Sequence, residues 1–466
     1  MKRILKFIIP VILCFSAVFA STGCGKEDLS NVLYIRFFNG GAGSVWLENL
    51  AAGFKNETGI TVKLESDTRM TENALTLLES GRNLPDLFFA LYTNWQYWVQ
   101  KDWLEPMDSV YDGTFDDFNI KSVYNGKTLS ELLIPEFESY GYMGRTAAAK
   151  TKNYYVMPWT APCTGIVYNA DMLASVGYNN PPATEAELKD LITKLNAAGI
   201  TPFSWGGYGA EMGYWDFPTL GWWAQYSGVE KWTSFYEFEN PEVFLDEGRR
   251  EALRLFRDLL IDENGDWKNS ISNPVGRDHM DAQRNFVQGN AAMTPTGSWI
   301  ENEIKEFIPA GFKMKMMPLP LINGATETNV LNTEAGDFAA IPKGAAHAEW
   351  AKAFLAYMNR PENVAAFTKT TGMPRPFSNY KPSEIPGITD FQRSCFTQFE
   401  EFNCMWRNSK SPFYTYVNVR EWEPFGRQTV YGMMAKPRKD SPEDLYQSMY
   451  NSVCDKWPTW EMTVGL

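Results

Sequence analysis

The stretch VLYIRFFNGGAGSVWLENLAAGFKNETGITVKLES at residues 32–66 decides the fold, because its hydrophobic period changes twice. Residues 32–38 form a compact apolar run that is typical of a buried strand, and a glycine-rich turn follows at residues 39–43. A helix is predicted next, because apolar residues recur every four positions until Gly59. These apolar residues are Trp46, Leu50 and Phe54.

Further strands and helices follow in the same rhythm. Residues 60–64 alternate between apolar and polar side chains, and residues 84–90 form another predicted strand. The clearest helix is predicted over residues 184–199, where Thr184 and Glu187 have the spacing of a capping box. Because parallel strands need long return connections, alternating strands and helices predict parallel pairing and an α/β fold.

Composition excludes several classes of function. The chain has 466 residues, enough for two or three domains, and its formal net charge is -13. Nucleic-acid binding is not expected, because proteins that track phosphates carry a basic surface. Histidine occurs only at positions 279 and 347, and neither a GxxxxGK[ST] nor an HExxH motif is present. We therefore expect no metal, no cofactor and no histidine-based catalysis.

The first twenty residues predict export. Lys2, Arg3 and Lys6 give a cationic start, and residues 7–20 form an apolar run interrupted by a proline and a serine. This run is too short to span a bilayer comfortably, but it fits the apolar region of a secretory signal.

The residues after this run resemble the cleavage box of bacterial lipoproteins, in which Cys24 would become the lipidated first residue. Ser21 stands where that box usually has leucine. The resemblance implies a signal peptide over residues 1–23, a lipidated tether over residues 24–30 and a membrane anchor on the extracytoplasmic face. The alternative is an ordinary secreted protein that is cleaved near Ala20.

The other cysteines of the exported chain have no CxxC spacing that would indicate a metal or redox site. They are Cys163, Cys395, Cys404 and Cys454. We expect buried free thiols, with a bridge between Cys395 and Cys404 as the alternative.

Several blocks, taken in order, resemble extracellular solute-binding protein family 1, the sugar-type receptors of ABC importers. The resemblance covers about residues 30–375. Its blocks are AGFKNETGITVKLES at 52–66, SGRNLPDLFFA at 80–90, the segment from NYYVMPWTAPC to NAAGITPF at 153–203, FVQGNAAMTPTGSW at 286–299 and AAIPKGAAHAEWAKAFLAYM at 339–358.

This resemblance implies a type II periplasmic-binding-protein fold, in which two α/β lobes are joined by several hinge crossings and the sugar binds near them. Crossings are expected at residues 158–164, 293–297 and 336–341. The implied lobes are 31–158 with 297–335 for lobe one, and 159–296 with 336–466 for lobe two.

A sugar presents apolar C–H faces and a ring of hydroxyls, so its receptor needs aromatic planes and short polar side chains. Aromatic residues in loops beside polar residues meet this need, whereas Trp46, Trp222 and Trp223 are predicted to be core. The candidate ligand-binding residues are Asn39, Trp95, Trp159, Trp215, Asp216, Trp299, Asp337 and Arg375, with Tyr92, Asn94 and Glu334 beside them.

Each candidate has a structural alternative. Asn39 is also a common turn residue, because asparagine tolerates unusual backbone angles. Trp95 could share a buried helix face with Trp98, and Trp299 could pack the lobe boundary instead of stacking on ligand.

The main hypothesis is a monomeric, lipid-anchored, non-catalytic receptor. It would bind a carbohydrate of oligosaccharide size and deliver it to the membrane permease of an ABC importer. A secreted glycoside hydrolase with paired carboxylates is the alternative, although the eight strand–helix repeats of a (β/α)8 barrel are not visible. A surface lipoprotein without a ligand is a third possibility, and it would leave the loop aromatics unexplained.

Overall fold

A computed structural model describes most of the chain after the predicted signal and tether. The described ranges are 31–91, 95–123, 126–143, 153–207, 214–333, 337–378, 380–406 and 442–464.

The first sheet has five strands in the order β2-β1-β3-β11-β6. Its strands are β1 (Val32–Phe38), β2 (Thr61–Asp67), β3 (Leu87–Ala90), β6 (Val156–Pro158) and β11 (Phe338–Ala340). Strand β1 is parallel to both β2 and β3, whereas β11 runs antiparallel between β3 and β6.

The second sheet is built around β7. Its strands are β7 (Cys163–Asn169), β8 (Met293–Gly297), β9 (Met314–Met317), β10 (Val330–Thr333) and β12 (Asn403–Trp406). Strands β8, β9 and β10 pair antiparallel with β7, and β12 pairs parallel with β10. A small hairpin of β4 (Tyr142–Met143) and β5 (Asn153–Tyr154) lies beside the first sheet.

Helices cover both faces of each sheet. The helices around the first sheet are α1 (Val45–Thr58), α2 (Met70–Ser80), α3 (Trp95–Gln100), α4 (Asp108–Asp112), α5 (Leu129–Leu132), α14 (Ala348–Met358) and α15 (Pro361–Thr371). Those around the second sheet are α6 (Pro135–Glu138), α7 (Ala170–Ser175), α8 (Glu185–Ala197), α9 (Asp216–Ser227), α10 (Val229–Tyr236), α11 (Glu247–Leu260), α12 (His279–Val287), α13 (Ile300–Glu303), α16 (Asp390–Glu401) and α17 (Pro442–Val464).

Alternating side chains of the strands enter separate cores on opposite faces of the sheets. Phe89 lies in one core of the first sheet, and its neighbour Phe88 lies in the other. In the second sheet, Ile166 and Val167 divide in the same way. Each sheet with its helices is therefore a three-layer α/β lobe, in which strand side chains alternate between the two helical layers.

The local predictions along the chain are largely confirmed. Strand β1 and helix α1 have the predicted positions, and Gly59 ends the helix in a left-handed conformation. The hydroxyl of Thr184 accepts the Glu187 N–H at 3.2 Å, as a capping residue does. The Glu187 carboxylate accepts the N–H of Ala183 at 2.7 Å, one residue earlier than a regular capping box requires.

The observed strand pairing differs from the predicted lobe boundaries. Strands β9 and β10 fall in the range 297–335 assigned to lobe one, but both pair with β7 in the second sheet. Strand β11 falls in the range 336–466 assigned to lobe two, but it pairs with β3 and β6 in the first sheet. We therefore define lobe one by the first sheet and lobe two by the second.

The same pairing locates the crossings. The chain passes from β6 to β7 through residues 159–162 and from β10 to β11 through residues 334–337, as the first and third predicted crossings require. At the second predicted crossing, residues 293–297, the chain instead stays in the second sheet and continues through α13 to β9. The return to lobe two occurs between α15 and α16.

Lobe two contains an ion-pair network around a buried carboxylate, and this network joins three segments. The carboxylate of Glu185, 1% exposed, accepts hydrogen bonds from Arg254 at 3.0 Å, Lys189 at 2.8 Å and the backbone N–H of Asn323 at 3.0 Å. Burial alone would raise the pKa of this carboxyl, but these donors outweigh it and hold the pKa at about 2.

In the described ranges, each helix is too short or too polar to cross a lipid bilayer.

We predict that Glu185→Gln destabilises the protein by about 2–3 kcal/mol at pH 7, because the neutral amide has one acceptor oxygen for donors that the buried carboxylate binds with two. Urea denaturation measures the change in the free energy of unfolding. The exposed Glu263→Gln is the control, for which we expect a change near zero. Since the folded pKa lies below the ordinary 4.5, the carboxylate's contribution is present above that value and is lost as the pH falls towards 2. Equal stability of variant and wild type at pH 7 would contradict this account.

Candidate functional site

Strand register places one end of four strands in a single row along lobe one. Phe37 pairs with Phe89, and Phe338 pairs with both Ala90 and Pro158. The residues that extend beyond the sheet at this end therefore form one edge, which we call the first edge. They are Asn39, Leu91, Trp159 and Asp337.

Lobe two presents a matching row, which we call the second edge. Cys163 pairs with Thr333, and Thr333 pairs with Trp406. Thr164 pairs with Gly297, the last residue of β8. The residues of this edge are Cys163, Gly297, Thr333 and Trp406.

Two crossings join these edges directly, which makes the two edges face each other. Five Cα–Cα steps separate Pro158 from Cys163, and five separate Thr333 from Phe338, so each crossing spans at most about 18 Å. The N–H of Trp159 donates to the carbonyl of Asp337 at 3.4 Å, which ties the crossings together. Ligands of α/β proteins bind beyond the carboxyl ends of strands, and this is where the two edges meet.

Aromatic side chains fill part of the boundary between the lobes. Trp299, which follows β8, lies 5.6 Å from Tyr214 and 5.7 Å from Phe217 between ring centroids. The same indole packs against the lobe one core, and Gly41 of lobe one lies directly against it. Asn302 also reaches Gly41. We call this group the interlobe seam: Gly41, Tyr214, Phe217, Trp299 and Asn302.

Trp159 and Trp95 lie near the first edge, but their rings are buried in lobe one. Trp159 is 3% exposed and stacks on Trp46 with ring centroids 4.9 Å apart. Trp95 is 2% exposed and packs edge-on against Tyr140. Trp98 is buried in the same core, so α3 has the buried aromatic face that was the structural alternative for Trp95.

In the segment around Trp215 and Asp216, neighbouring side chains belong to the interlobe seam, and these two do not. Trp215 is fully buried in lobe two between Phe203 and Phe256 and exposes no surface to a ligand in this conformation. Asp216 begins α9 and is 4% exposed. Its neighbours Tyr214 and Phe217, whose rings lie 5.0 Å apart, contact Trp299 instead.

Asn39 and Asp337 are half-buried on the first edge. Burial raises the pKa of the Tyr140 hydroxyl, and the nearby Asp337 carboxylate raises it further, as does Tyr236 of lobe two. The first edge therefore has two polar side chains, and the Asp337 carboxylate lies near the buried Tyr140 phenol.

Arg375 is sealed inside lobe one. Its Nη2 donates to the Asn359 amide oxygen at 2.5 Å, and its guanidinium lies over the rings of Phe367 and Phe377. Within the described ranges its Nε and Nη1 have no hydrogen-bond partner. Burial lowers its pKa to about 9, because a low-dielectric surrounding disfavours the charged form.

Some sequence candidates lie outside the described residues, namely Cys24, Tyr92, Asn94 and Glu334. Sequence reasoning missed Gly41, Tyr214, Phe217 and Asn302. The spacing of Tyr214 and Phe217, three residues apart across a helix start, is the signal that could have indicated their shared face.

Chemistry at the described edges is polar and aromatic. In the described part of the chain, no group of three His, Cys, Asp or Glu side chains could hold a metal ion. The four described cysteines are free, and burial raises the pKa of the Cys163 and Cys395 thiols. The alternative bridge between Cys395 and Cys404 is not formed.

A separate cavity of about 260 Å³ lies on lobe one and is lined by residues such as Leu132, Val364 and Phe377.

Comparison with known proteins gives the same architecture. A family model described as bacterial extracellular solute-binding protein matches residues 40–365. The chain also superposes on a chitin oligosaccharide binding protein with a TM-score of 0.67 and 18% identity, covering 90% of this chain and 97% of that one. The predicted α/β periplasmic-binding-protein fold is thus confirmed.

Curated relatives match over a smaller part of the chain. The chain is 25% identical over 266 residues to the multiple sugar-binding protein of Streptococcus mutans, which covers 56% of this chain and 60% of that protein. It is 24% identical over 259 residues to the sn-glycerol-3-phosphate-binding periplasmic protein of Salmonella paratyphi A, with 52% and 53% covered. The matches span little more than half the length of these relatives.

We predict that Arg375→Met leaves the melting temperature unchanged or raises it, because a buried cation without a carboxylate partner in the described ranges costs solvation energy. Differential scanning fluorimetry measures the melting temperature. The control is Arg254→Met, which removes the bidentate partner of Glu185 and should lower the melting temperature. A large loss of stability for Arg375→Met alone would show that this guanidinium has an essential ionic partner.

Proposed function

Since this chain belongs to the bacterial extracellular solute-binding protein family, we propose that it binds a carbohydrate between its two lobes and delivers it to the permease of an ABC importer. The receptor acts as a monomer and is not an enzyme. The ligand is of oligosaccharide size, because the two edges are rows of several residues and not a single point.

The observation that carries this proposal is the half-buried Trp299 at the boundary between the two strand edges. An indole face covers the apolar face of a sugar ring, and Asn39 and Asp337 on the first edge offer partners for hydroxyls. Tyr214 supports the indole from lobe two. The relative from Streptococcus mutans is named for the same ligand class.

In the described ranges, two arginines of lobe one are unavailable to a phosphate ester, which favours a neutral sugar as the ligand. Arg36, on β1 near the first edge, is already engaged by Glu65 at 2.9 Å and Asp67 at 3.2 Å. Arg375 is enclosed in lobe one. Phosphate recognition uses cations that can reach the ligand, and these two arginines are committed elsewhere.

The alternative of a glycoside hydrolase draws no support from these relatives, which are named as binding proteins. A hydrolase needs two carboxyl groups about 5–10 Å apart around the scissile bond, one of them with a raised pKa. Measurement of product release from any sugar that binds separates the two functions.

We predict that residues 25–466 show a saturable shift in tryptophan fluorescence and melting temperature with one class of neutral oligosaccharide, with one ligand per chain. Trp299→Ala should weaken this binding at least about tenfold, because a stacked aromatic platform is lost. Trp267→Ala is the control, since Trp267 packs on Trp205 within lobe two.

Three results would contradict this proposal: no response of the folded protein to a broad carbohydrate panel, a response to sn-glycerol-3-phosphate alone, or equal losses of affinity in the Trp299 and Trp267 variants.

We also propose that the chain is exported and anchored through a lipid on Cys24, so that it works on the extracytoplasmic face of the membrane. The cationic start, the apolar run at residues 7–20 and the small residues before Cys24 support this. The anchor would keep the receptor close to its permease.

We predict that Cys24→Ala moves the protein from the membrane fraction to the medium or the wash fraction, because its anchor is lost. Cell fractionation with immunoblotting measures this, and Cys454→Ala, far along the chain, serves as the control. Retention of the Cys24 variant in the membrane fraction would refute lipidation at this residue.

A further inference from the structure

One hydrogen bond of the interlobe seam joins residues from different lobes. The side-chain Nδ2 of Asn302 donates to the carbonyl oxygen of Gly41 at 2.7 Å. Gly41 lies in the loop between β1 and α1 of lobe one, and Asn302 lies on α13 of lobe two. Because the two residues belong to different lobes, this bond forms only when the lobes are in contact at this point.

Helix α13 is fixed to lobe two by its other side chains. Ile300 is buried in a lobe two core, and Glu301 accepts a hydrogen bond from the Thr389 hydroxyl at 2.9 Å. Glu303 accepts another from Gln283 at 2.9 Å. The helix therefore moves with lobe two, and Asn302 is the side chain that it extends towards lobe one.

The glycine-rich loop of lobe one is shaped to receive this contact. The N–H of Gly43 donates to the carbonyl of Gly40 at 2.8 Å and closes a tight turn around residue 41. A Cβ atom on Gly41 would lie only 2.9 Å from Cβ of Trp299, closer than carbon atoms pack. The loop can thus approach lobe two this closely only while position 41 is glycine.

We propose that Gly41 and Asn302 form an interlobe clasp, which stabilises the closed arrangement of the lobes and slows release of the bound ligand. The effect on the ligand rests on the proposed carbohydrate-binding function, whereas the effect on lobe closure does not. If only the closed arrangement binds the ligand tightly, the apparent affinity for the ligand rises with the population of that arrangement. The clasp is therefore a positioning device that tunes affinity without touching the sugar.

The direct test replaces the donor with a group of equal size. In Asn302→Asp the carboxylate can only accept hydrogen bonds, so it repels the Gly41 carbonyl in place of binding it. The control is Asn290→Ala, which also removes an amide donor, one that pairs with Asn285 inside lobe two at 3.0 Å. Both proteins should retain the wild-type fold, as judged by far-UV circular dichroism.

Small-angle X-ray scattering without ligand is the first measurement. We expect a larger radius of gyration for Asn302→Asp than for wild type, and no change for Asn290→Ala. Stopped-flow binding of the oligosaccharide is the second, and we expect about three- to tenfold weaker binding of Asn302→Asp, mostly through faster dissociation.

A second variant tests the same clasp from lobe one. Gly41→Ala should shift the ligand-free scattering in the same direction, because its methyl group holds Trp299 away. Its dissociation rate does not test the clasp, since Trp299 is also the proposed sugar platform. Gly165→Ala is the control, since a methyl group there meets Met316 at an ordinary 3.5 Å.

Superposable ligand-free scattering of wild type, Asn302→Asp and Gly41→Ala would overturn the clasp, and so would an unchanged dissociation rate in Asn302→Asp. Failure of the wild type to bind any sugar would instead refute the proposed ligand, while the scattering comparison would still decide whether the clasp exists.

Discussion

The short crossings between the two sheets are the constraint on which the rest of the structure depends. Each leaves the chain only five Cα–Cα steps to pass from one lobe to the other, a reach of at most about 18 Å. The hydrogen bond from Trp159 to the Asp337 carbonyl holds the two crossings together. The strand ends must therefore face each other across the lobe boundary, which is where ligands of open α/β sheets bind.

Much of the fold could be predicted from the sequence, because its signals are local. The periodicity of β1 and α1 and the cap at Thr184 depend on residues within a few positions of each other. The lobe boundaries after residue 297 were predicted wrongly for the opposite reason. The pairing of β9 and β10 with β7 joins residues 145 to 170 positions apart, and no local pattern near Gly297 shows that the chain stays in its sheet.

The candidate residues indicated segments near the lobe boundary, and among the residues of the interlobe seam they included Trp299 alone. The sequence indicated the segment around Trp215, but α9 begins at Asp216, so the backbone direction buries Trp215 and brings Tyr214 and Phe217 to Trp299. In the same way, Trp159 lies at the predicted crossing while its ring stacks on Trp46 inside lobe one. The direction of a loop aromatic depends on tertiary packing, which composition and spacing do not record.

A crystal structure of the protein with the oligosaccharide that it binds most tightly tests the central claim most directly. The account predicts the sugar between the first and second edges, with one ring against Trp299 and hydroxyls within hydrogen-bond distance of Asn39 or Asp337. Sugar bound in the separate 260 Å³ cavity on lobe one, with the space between the edges filled by protein side chains, would contradict it.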